Sequence, residues 1–223
     1  MLKPKRLSLL MGHYGSGKTN IAVNYALYLR ELGLPVAIAD LDIVNPYFRM
    51  KDSEEEMRKR GIDVIALPYA NSNVDLPALP SSAYSLVQNK SRYAVLDIGG
   101  DDRGALALGR FTPYILEENN YDMFFVANFC RPLTQNAEDA MEVLHEIEYA
   151  CGMHFTGIIN NTNLGPETTA GTVLDSQVHV QKLSELSGLP VVMTAVHDTL
   201  YEDLKDLIPD LFPLKLQKKI TDE

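Results

Sequence analysis

Short apolar runs alternate with longer segments of helical periodicity along most of the chain. Runs that are apolar throughout are typical of parallel strands, because helices cover both faces of such strands. They predict strands at about 7–11, 36–39, 62–67, 93–96, 123–127, 155–159 and 191–194. The intervening segments predict helices at about 18–32, 53–60, 82–89, 105–119, 134–150, 173–186 and 200–207, with Pro113 as a candidate break in the fourth. This alternation predicts a single α/β domain over residues 1–223, built on a doubly wound, mostly parallel sheet.

The first strand runs directly into a glycine-rich segment, GHYGSGKT, from Gly12 to Thr19. The segment fits the pattern GxxxxGK[ST], which binds phosphate when a strand precedes it and a helix follows it. Glycines allow successive backbone N–H groups to turn towards an anion, and the amino end of the following helix adds partial positive charge. The Lys18 ammonium can reach the outer phosphates, and the Thr19 hydroxyl can bind Mg²⁺. The expected nucleotide-binding residues are Gly12, His13, Tyr14, Gly15, Ser16, Gly17, Lys18, Thr19 and Asn20.

Carboxylates follow two other predicted strands, at the sheet edge where ligands bind in this class of fold. Asp97 ends one strand and is expected to bind Mg²⁺ directly or through water, beside Thr19. The glycines after it, beginning with Gly99, can bring backbone N–H groups close to a γ-phosphate. Asp40 and Asp42 end the neighbouring strand, where one of them can orient the attacking water or hold metal-bound water. We expect this role, and a place in the metal site, for Asp42.

The charge and the cysteines narrow the class of protein. The 223-residue chain carries a formal charge of −10 at pH 7, which argues against sequence-independent binding to nucleic acid and against binding to an anionic membrane. No apolar run approaches the length of a membrane span. Cys130 and Cys151 have neither metal-ligand nor redox spacing, which favours a reducing compartment. We therefore expect a cytoplasmic protein without a nucleic-acid or membrane partner.

Five segments, GHYGSGKT, ADLDIVNP, VLDIGG, GIINN and LPVVMTAVHD, occur in the order seen in the MinD/ParA/CobQ group of P-loop proteins. The chain resembles this group, which includes the nitrogenase iron protein and dethiobiotin synthetase, over nearly its whole length. The resemblance implies the P-loop nucleoside triphosphatase fold, with ATP and Mg²⁺ bound by Lys18 and Thr19. It also implies that Asp42 is the switch carboxylate that supports hydrolysis, that Asp97 lies near the metal, and that Asn161 reads the adenine. Lys18 and Asp42 are then the expected catalytic residues.

Asn161 lies in the segment NNTN, directly after a predicted strand. Its amide offers the donor and the acceptor that complement the N6 and N7 edge of adenine. The Lys-x-Asp sequence that reads guanine is absent from this segment. ATP and ADP are therefore expected over guanine nucleotides, with backbone groups from Val196 to Asp198 as candidates for part of the reading.

The sequence departs from the resembled group at His13. Members that enclose ATP between two subunits usually have a lysine directly after the first glycine of the loop, and that lysine reaches the partner's nucleotide. Histidine is shorter and largely neutral at pH 7. Arg49 and Arg103 are candidates to supply the missing charge.

Two functions remain open at this point. The first is a Mg²⁺-dependent ATPase that acts as a nucleotide switch on a homodimer or on an unknown partner protein. The alternative is an ATP-dependent small-molecule synthetase or kinase of the dethiobiotin synthetase/CobQ type. That enzyme would need a substrate pocket beside the γ-phosphate, for which the segments from Asn71 to Pro80 and from Asp101 to Arg103 are candidates. The first function is favoured by the resemblance alone.

Overall fold

A computed structural model describes residues 3–41, 51–65, 81–99 and 102–215. Across these ranges, eight strands form one sheet in which every pair is parallel. The strands are β1 (Leu7–Met11), β2 (Val36–Leu41), β3 (Asp63–Ile65), β4 (Tyr93–Ile98), β5 (Tyr121–Ala127), β6 (Gly157–Asn160), β7 (Val191–His197) and β8 (Leu211–Leu214). Their order across the sheet is β3-β2-β4-β1-β5-β6-β7-β8. The predicted parallel sheet is thus confirmed.

Helices cover both faces of this sheet. They are α1 (Lys18–Glu31), α2 (Lys51–Lys59), α3 (Ser81–Gln88), α4 (Asp102–Gly109), α5 (Thr112–Glu118), α6 (Ala137–Cys151), α7 (Ala170–Ser187) and α8 (Tyr201–Leu204). Side chains of β1 alternate between the two faces: Leu9 packs into the core under α3 to α7, and Leu10 into the core under α1 and α2. None of the described helices combines the length and the apolar character needed to cross a lipid bilayer.

Strand β1 lies where the direction of winding changes. It pairs with β4 on one side and with β5 on the other. The chain leaves β1 for α1 on one face of the sheet, whereas it leaves β4 for α4 on the opposite face. In open α/β sheets, the crevice at such a point, outside the carboxyl ends of the strands, is where ligands bind.

The helices differ from the prediction where proline or a capping side chain sets their ends. The predicted helix at 105–119 is two helices, and Pro113 lies in the first turn of α5. N–H groups of the first turn have no partner within the helix, so the N–H that proline lacks costs no helical hydrogen bond. Helix α6 begins later than predicted, because the Asn136 side chain accepts a hydrogen bond from its first turn. Helix α7 begins earlier than predicted, after the capping box that starts at Thr169.

The carboxyl-terminal segment departs most from the prediction. The helix expected at 200–207 is reduced to α8, and the tail after it contributes β8, which pairs with β7. Pro213 is tolerated because β8 lies at the edge of the sheet, and Phe212 packs into the core beside α1. The Asn24 side chain of α1 accepts the Lys215 N–H at 3.1 Å and donates to the Lys215 carbonyl oxygen at 3.3 Å. This pair of bonds fixes the end of β8 to the helix that follows β1.

Arg6, just before β1, is a buried cation that joins three elements. It is 5% exposed, and its guanidinium pairs with the Glu118 carboxylate at the end of α5. The same group donates to the carbonyl oxygens of Leu86 at 3.0 Å, Val87 at 3.1 Å and Asn89 at 3.3 Å. Because the last carbonyl groups of a helix have no partners within the helix, Arg6 serves as the carboxyl-terminal cap of α3.

Candidate functional site

The segment from Gly12 to Gly17 turns tightly between β1 and α1. Gly12 has a φ of +153° and Gly17 a φ of +88°. A Cβ at Gly12 would lie 2.4 Å from the Val126 carbonyl oxygen of β5, and a Cβ at Gly17 would lie 2.3 Å from the Asn161 side-chain nitrogen. Both positions therefore require glycine, because the neighbours that hold the loop leave no room for a side chain. The expected strand, loop and helix are present, and α1 begins at Lys18.

Lys18 places its ammonium on the loop itself. The residue is 6% exposed, and its Nζ donates to the Gly12 carbonyl oxygen at 3.0 Å and to the His13 carbonyl oxygen at 3.3 Å. Carbonyl oxygens are neutral acceptors, whereas phosphate oxygens add their own negative charge to a hydrogen bond from an ammonium. The ammonium can therefore exchange these carbonyl groups for an anionic ligand.

The other predicted loop residues differ in exposure. Tyr14 is exposed, Thr19 is partly buried at the start of α1, and Ser16 is buried. Within the described ranges, the Ser16 hydroxyl, His13 Nδ1 and Asn20 Oδ1 are buried atoms without a hydrogen-bond partner. Buried polar atoms without partners are uncommon in folded proteins, and a bound water or ion is one explanation for them. The loop therefore keeps polar groups that a ligand or water can satisfy.

Asp97 lies near the carboxyl end of β4, next to β1. In the sheet register it is opposite Leu10 of β1 and Asp40 of β2, and it is 1% exposed. A carboxylate here and the Thr19 hydroxyl suit Mg²⁺, which prefers oxygen ligands and is usually bound through one or two carboxylates, substrate phosphates and water. Among the described residues, no group of three or more acidic, histidine or cysteine side chains could hold a metal by itself. The donor set thus fits a magnesium ion that arrives with a phosphate ligand.

Strands β2 and β4 end at the same edge of the sheet as the phosphate-binding loop, because β2, β4 and β1 are adjacent and parallel. Gly99 follows β4 directly; it is buried against α4, where a Cβ at Gly104 would meet the Gly99 carbonyl oxygen at 2.3 Å. Several predicted site residues and segments lie outside the described part of the chain. They are Asp42, Arg49, Asp101, the segment 71–80 and the side chain of Arg103.

Asn161 follows β6 directly and contacts the phosphate-binding loop. Its backbone N–H donates to the Ala127 carbonyl oxygen at 2.8 Å, and its Nδ2 donates to the Ser16 carbonyl oxygen at 2.7 Å. The residue is 3% exposed. Its Oδ1 accepts no hydrogen bond from any described residue. The residue expected to read the base therefore supports the loop with one end of its amide and keeps the other end available.

Asn128, directly after β5, is absent from the predicted site residues. It is fully buried, and its Oδ1 accepts the Cys130 N–H at 3.0 Å and the Asn163 N–H at 3.3 Å. Its Nδ2 donates to the Asn163 carbonyl oxygen at 3.2 Å, and Asn163 in turn donates to the Asn161 carbonyl oxygen at 2.7 Å. These amides join the segments after β5 and β6 to the phosphate-binding loop. A polar residue directly after a buried strand is the sequence signal that could have identified Asn128.

A cleft opens beside Asn161, between the start of α1, the segment after β6 and the ends of β7 and β8. It contains about 350 Å³ of empty space, counting the solvent at its mouth. Its polar lining residues are Asn20, Asn161, Thr162, Asn163, Thr168 and His197, and its apolar ones are Val173, Ala195, Val196 and Leu214. Because Asn20 and Asn161 also adjoin the loop, this cleft is the candidate place for a base attached to phosphates in the loop. The segment from Val196 to Asp198, expected to help read the base, contributes His197 to it.

Arg131, in the segment after β5, also contacts the loop and is absent from the prediction. Its Nε donates to the Gly15 carbonyl oxygen at 3.0 Å. Burial raises the pKa of the neighbouring Cys130 thiol, and the positive charge of Arg131 opposes that rise. A thiol with a raised pKa stays protonated at neutral pH and is a poor nucleophile. The charge that this segment brings to the loop is therefore that of Arg131.

Comparison with known proteins gives a likeness at the level of the fold. No protein-family model and no curated protein matches the chain. The cell division protein FtsY from Thermotoga maritima superposes with a TM-score of 0.58 at 18% identity, over 88% of this chain and 63% of that one. The signal recognition particle receptor FtsY from Elizabethkingia anophelis in complex with GDP gives 0.54 at 18%, covering 88% and 58%. Chloroplast FtsY from Physcomitrella patens gives 0.54 at 18%, covering 87% and 59%.

The chain thus spans about three fifths of the length of these FtsY structures. At such low identity the likeness shows the fold, which is the α/β fold of P-loop nucleoside triphosphatases predicted from the sequence. The narrower similarity to the MinD/ParA/CobQ group stays a resemblance carried by the sequence motifs.

Proposed function

We propose that this chain is a Mg²⁺-dependent ATPase that acts as a nucleotide switch on a homodimer or on a partner protein. The observation that supports it most directly is the buried Lys18 ammonium, which lies 3.0 Å from the Gly12 carbonyl oxygen within the loop between β1 and α1. A strand, a loop of this sequence and a helix together form a site for the phosphates of a nucleotide.

The proposed reaction is attack of water on the γ-phosphorus, with ADP as the leaving group. Lys18 would exchange the Gly12 and His13 carbonyl groups for phosphate oxygens. Thr19 and Asp97 would hold Mg²⁺, which supplies positive charge that stabilises the transferring phosphoryl group. Asp42 is the proposed group that orients the attacking water, as the resemblance implies.

The Asn161 amide supports adenine as the base. Because Nδ2 donates to Ser16, Oδ1 is the part of the amide that remains to accept a hydrogen bond. Adenine presents an amino group at position 6, whereas guanine presents a carbonyl oxygen there. One of the similar structures, FtsY from Elizabethkingia anophelis, holds GDP. A likeness of fold at 18% identity is no basis for assigning the base preference of that protein to this chain. The proposed preference for adenine therefore rests on the Asn161 amide.

ATP is expected to bind up to roughly tenfold more tightly than GTP, since the single hydrogen bond that Asn161 Oδ1 can accept is worth about 0.5–1.5 kcal/mol. Competition against a fluorescent ATP analogue would measure the preference. CTP and UTP are the controls, because they carry the same triphosphate without the purine edge. GTP that displaces the analogue as well as ATP does would contradict adenine reading by Asn161.

The switch proposal rests on the neighbours of the phosphate-binding loop. A γ-phosphate in the loop would adjoin the segments that begin near Asp42 and Gly99, because β2 and β4 end beside β1. Hydrolysis removes that phosphate and its contacts, which is a common way in which nucleotide-binding proteins change the surface they offer to a partner. Dimerisation or partner binding would then depend on the nucleotide.

Mg²⁺ with a slowly hydrolysed ATP analogue is expected to convert the monomer into a dimer, whereas Mg²⁺ with ADP is not. Size-exclusion chromatography with light scattering would give the mass in each state. Lys18→Ala, which lacks the phosphate-binding cation, is the control and should remain monomeric. A wild-type chain that binds the analogue yet stays monomeric at high concentration would contradict the homodimer and favour the small-molecule synthetase.

A further inference from the structure

The segment after β5 presents Arg131 to the phosphate-binding loop in a fixed position. Pro132 disfavours the helical conformation for the residue before it, and Arg131 is extended, with φ −103° and ψ 141°. Its backbone N–H donates to the Asn128 carbonyl oxygen at 3.1 Å, and its own carbonyl oxygen accepts the Thr134 N–H at 3.0 Å. Because Asn128 is fully buried and bonded through both ends of its amide, the folded backbone sets the position of Arg131.

The guanidinium of Arg131 lies against Gly15. Besides the 3.0 Å bond from Nε to the Gly15 carbonyl oxygen, a Cβ at Gly15 would lie 3.6 Å from Nε and 3.8 Å from Cζ. A guanidinium has five N–H donors in a planar fork, and this contact uses one of them. Within the described ranges, neither Nη group has an acceptor. Four donors at the phosphate-binding loop thus remain for a ligand or water.

No described carboxylate balances the charge of Arg131. Four other arginines pair with a glutamate or an aspartate, Arg6, Arg58, Arg60 and Arg92, whereas Arg30 on the exposed face of α1 donates to carbonyl groups. The partner of Arg131 in the described chain is a neutral carbonyl group, although the protein carries a net charge of −10. A fixed guanidinium without a carboxylate partner is well suited to phosphate, because its planar fork matches two phosphate oxygens at once.

We infer that Arg131 is a second phosphate-binding cation of the nucleotide site, held on the loop through Gly15 and directed by its Nη groups to the phosphate chain of the bound triphosphate. The inference rests on the proposed function, since it requires a triphosphate in the loop. It differs from the sequence expectation, in which Arg49 or Arg103 replaces the lysine missing at His13. The cation comes from the same subunit, so its effect does not require a dimer.

Two substitutions separate the charge of Arg131 from its hydrogen bond to Gly15. Arg131→Met removes the charge and keeps a similar stem, whereas Arg131→Lys keeps the charge and loses the Nε–H. Calorimetric titration with Mg²⁺-ATP, at concentrations where the protein is monomeric, should show about 10- to 100-fold weaker binding for Arg131→Met. Arg131→Lys, which keeps the charge but not the planar fork, should lose less affinity than Arg131→Met. Adenosine binding should weaken little in either variant, because adenosine has no phosphates, and added salt should narrow the gap between wild type and Arg131→Met.

Arg30→Met is the matched control, because it removes the same charge from a position on α1 that is roughly 18 Å from Lys18 along the helix axis. This variant should bind ATP as tightly as the wild type does. Equal losses for ATP and adenosine, which has no phosphates, would assign the guanidinium to the base or ribose and overturn the inference. Equal losses in Arg131→Met and Arg131→Lys would also overturn it, since they would show that the bond to Gly15 only shapes the loop. A wild-type chain that binds no nucleotide defeats the proposed function, whereas wild-type binding that survives Arg131→Met defeats this inference alone.

Discussion

Lys18→Ala is expected to remove most of the affinity of this chain for ATP, on the order of 2–5 kcal/mol or about 30- to 5,000-fold in Kd. The physical reason is the position of the ammonium. It is buried on the loop, within 3.3 Å of two carbonyl oxygens, so the phosphates of a bound nucleotide would meet it in a site from which water is largely excluded. Alanine leaves these phosphates without the cation that α1 brings to the loop.

Isothermal titration calorimetry with Mg²⁺-ATP measures this loss directly. Lys59→Ala is the matched control, because Lys59 is exposed on α2 and pairs there with Glu55. Thermal denaturation of both variants is needed as well, since Lys18 also donates to the Gly12 and His13 carbonyl groups in the structure. If folded Lys18→Ala binds ATP as tightly as the wild type does, the loop is not the phosphate site.

Arg6→Met is expected to lower the free energy of unfolding by about 3–5 kcal/mol, the range observed when one partner of a buried ion pair is removed. The Glu118 carboxylate would remain as a charge with a 9% exposed side chain and no cation beside it. The carbonyl groups of Leu86 and Val87 at the end of α3 would also lose their donors. The loss therefore combines an uncompensated charge with a helix end that is no longer capped.

Urea denaturation of the purified chain would measure this change. Arg60→Met is the control, because Arg60 forms an exposed pair with Glu56 and such pairs are worth about 0.2–1 kcal/mol. The double variant Arg6→Met, Glu118→Gln should recover part of the loss, since it removes the uncompensated charge. A cost for Arg6→Met no larger than that of Arg60→Met would show that the buried pair contributes little to stability.

The apolar pattern predicted most of the sheet because each of these strands is covered on both faces. The bounds of β1 are those predicted from the sequence, and the predicted strand at 191–194 extends through Ala195 and Val196, which are also buried. The loop motif was informative for a similar reason. Glycine is required at Gly12 and Gly17 because atoms of Val126 and Asn161 lie within 2.4 Å of where a Cβ would be. The spacing of the glycines in the sequence therefore predicts the shape of the loop.

The missed features depend on contacts between distant parts of the chain. Arg131 and Gly15 are separated by 116 residues, and Asn161 and Ser16 by 145, so no local pattern reveals that they touch. Strand β8 has a proline and four residues, and it forms a strand because β7 supplies its hydrogen-bonding partner. The hydrolytic role of Asp42 stays a prediction, because Asp42 lies outside the described part of the chain.

The asparagines after β5 and β6 affect the entropy of ligand binding at the site. Asn128, Asn161 and Asn163 hold one another and the Ser16 carbonyl group through hydrogen bonds within the protein. Their rotamers are thus fixed on folding, and a ligand does not have to immobilise them at about 0.5–1.5 kcal/mol each. The loop and the cleft would then already have their relative positions before a nucleotide binds, and Lys18 would exchange its carbonyl partners for phosphate oxygens. These asparagines would then add little to the entropy lost when a nucleotide binds.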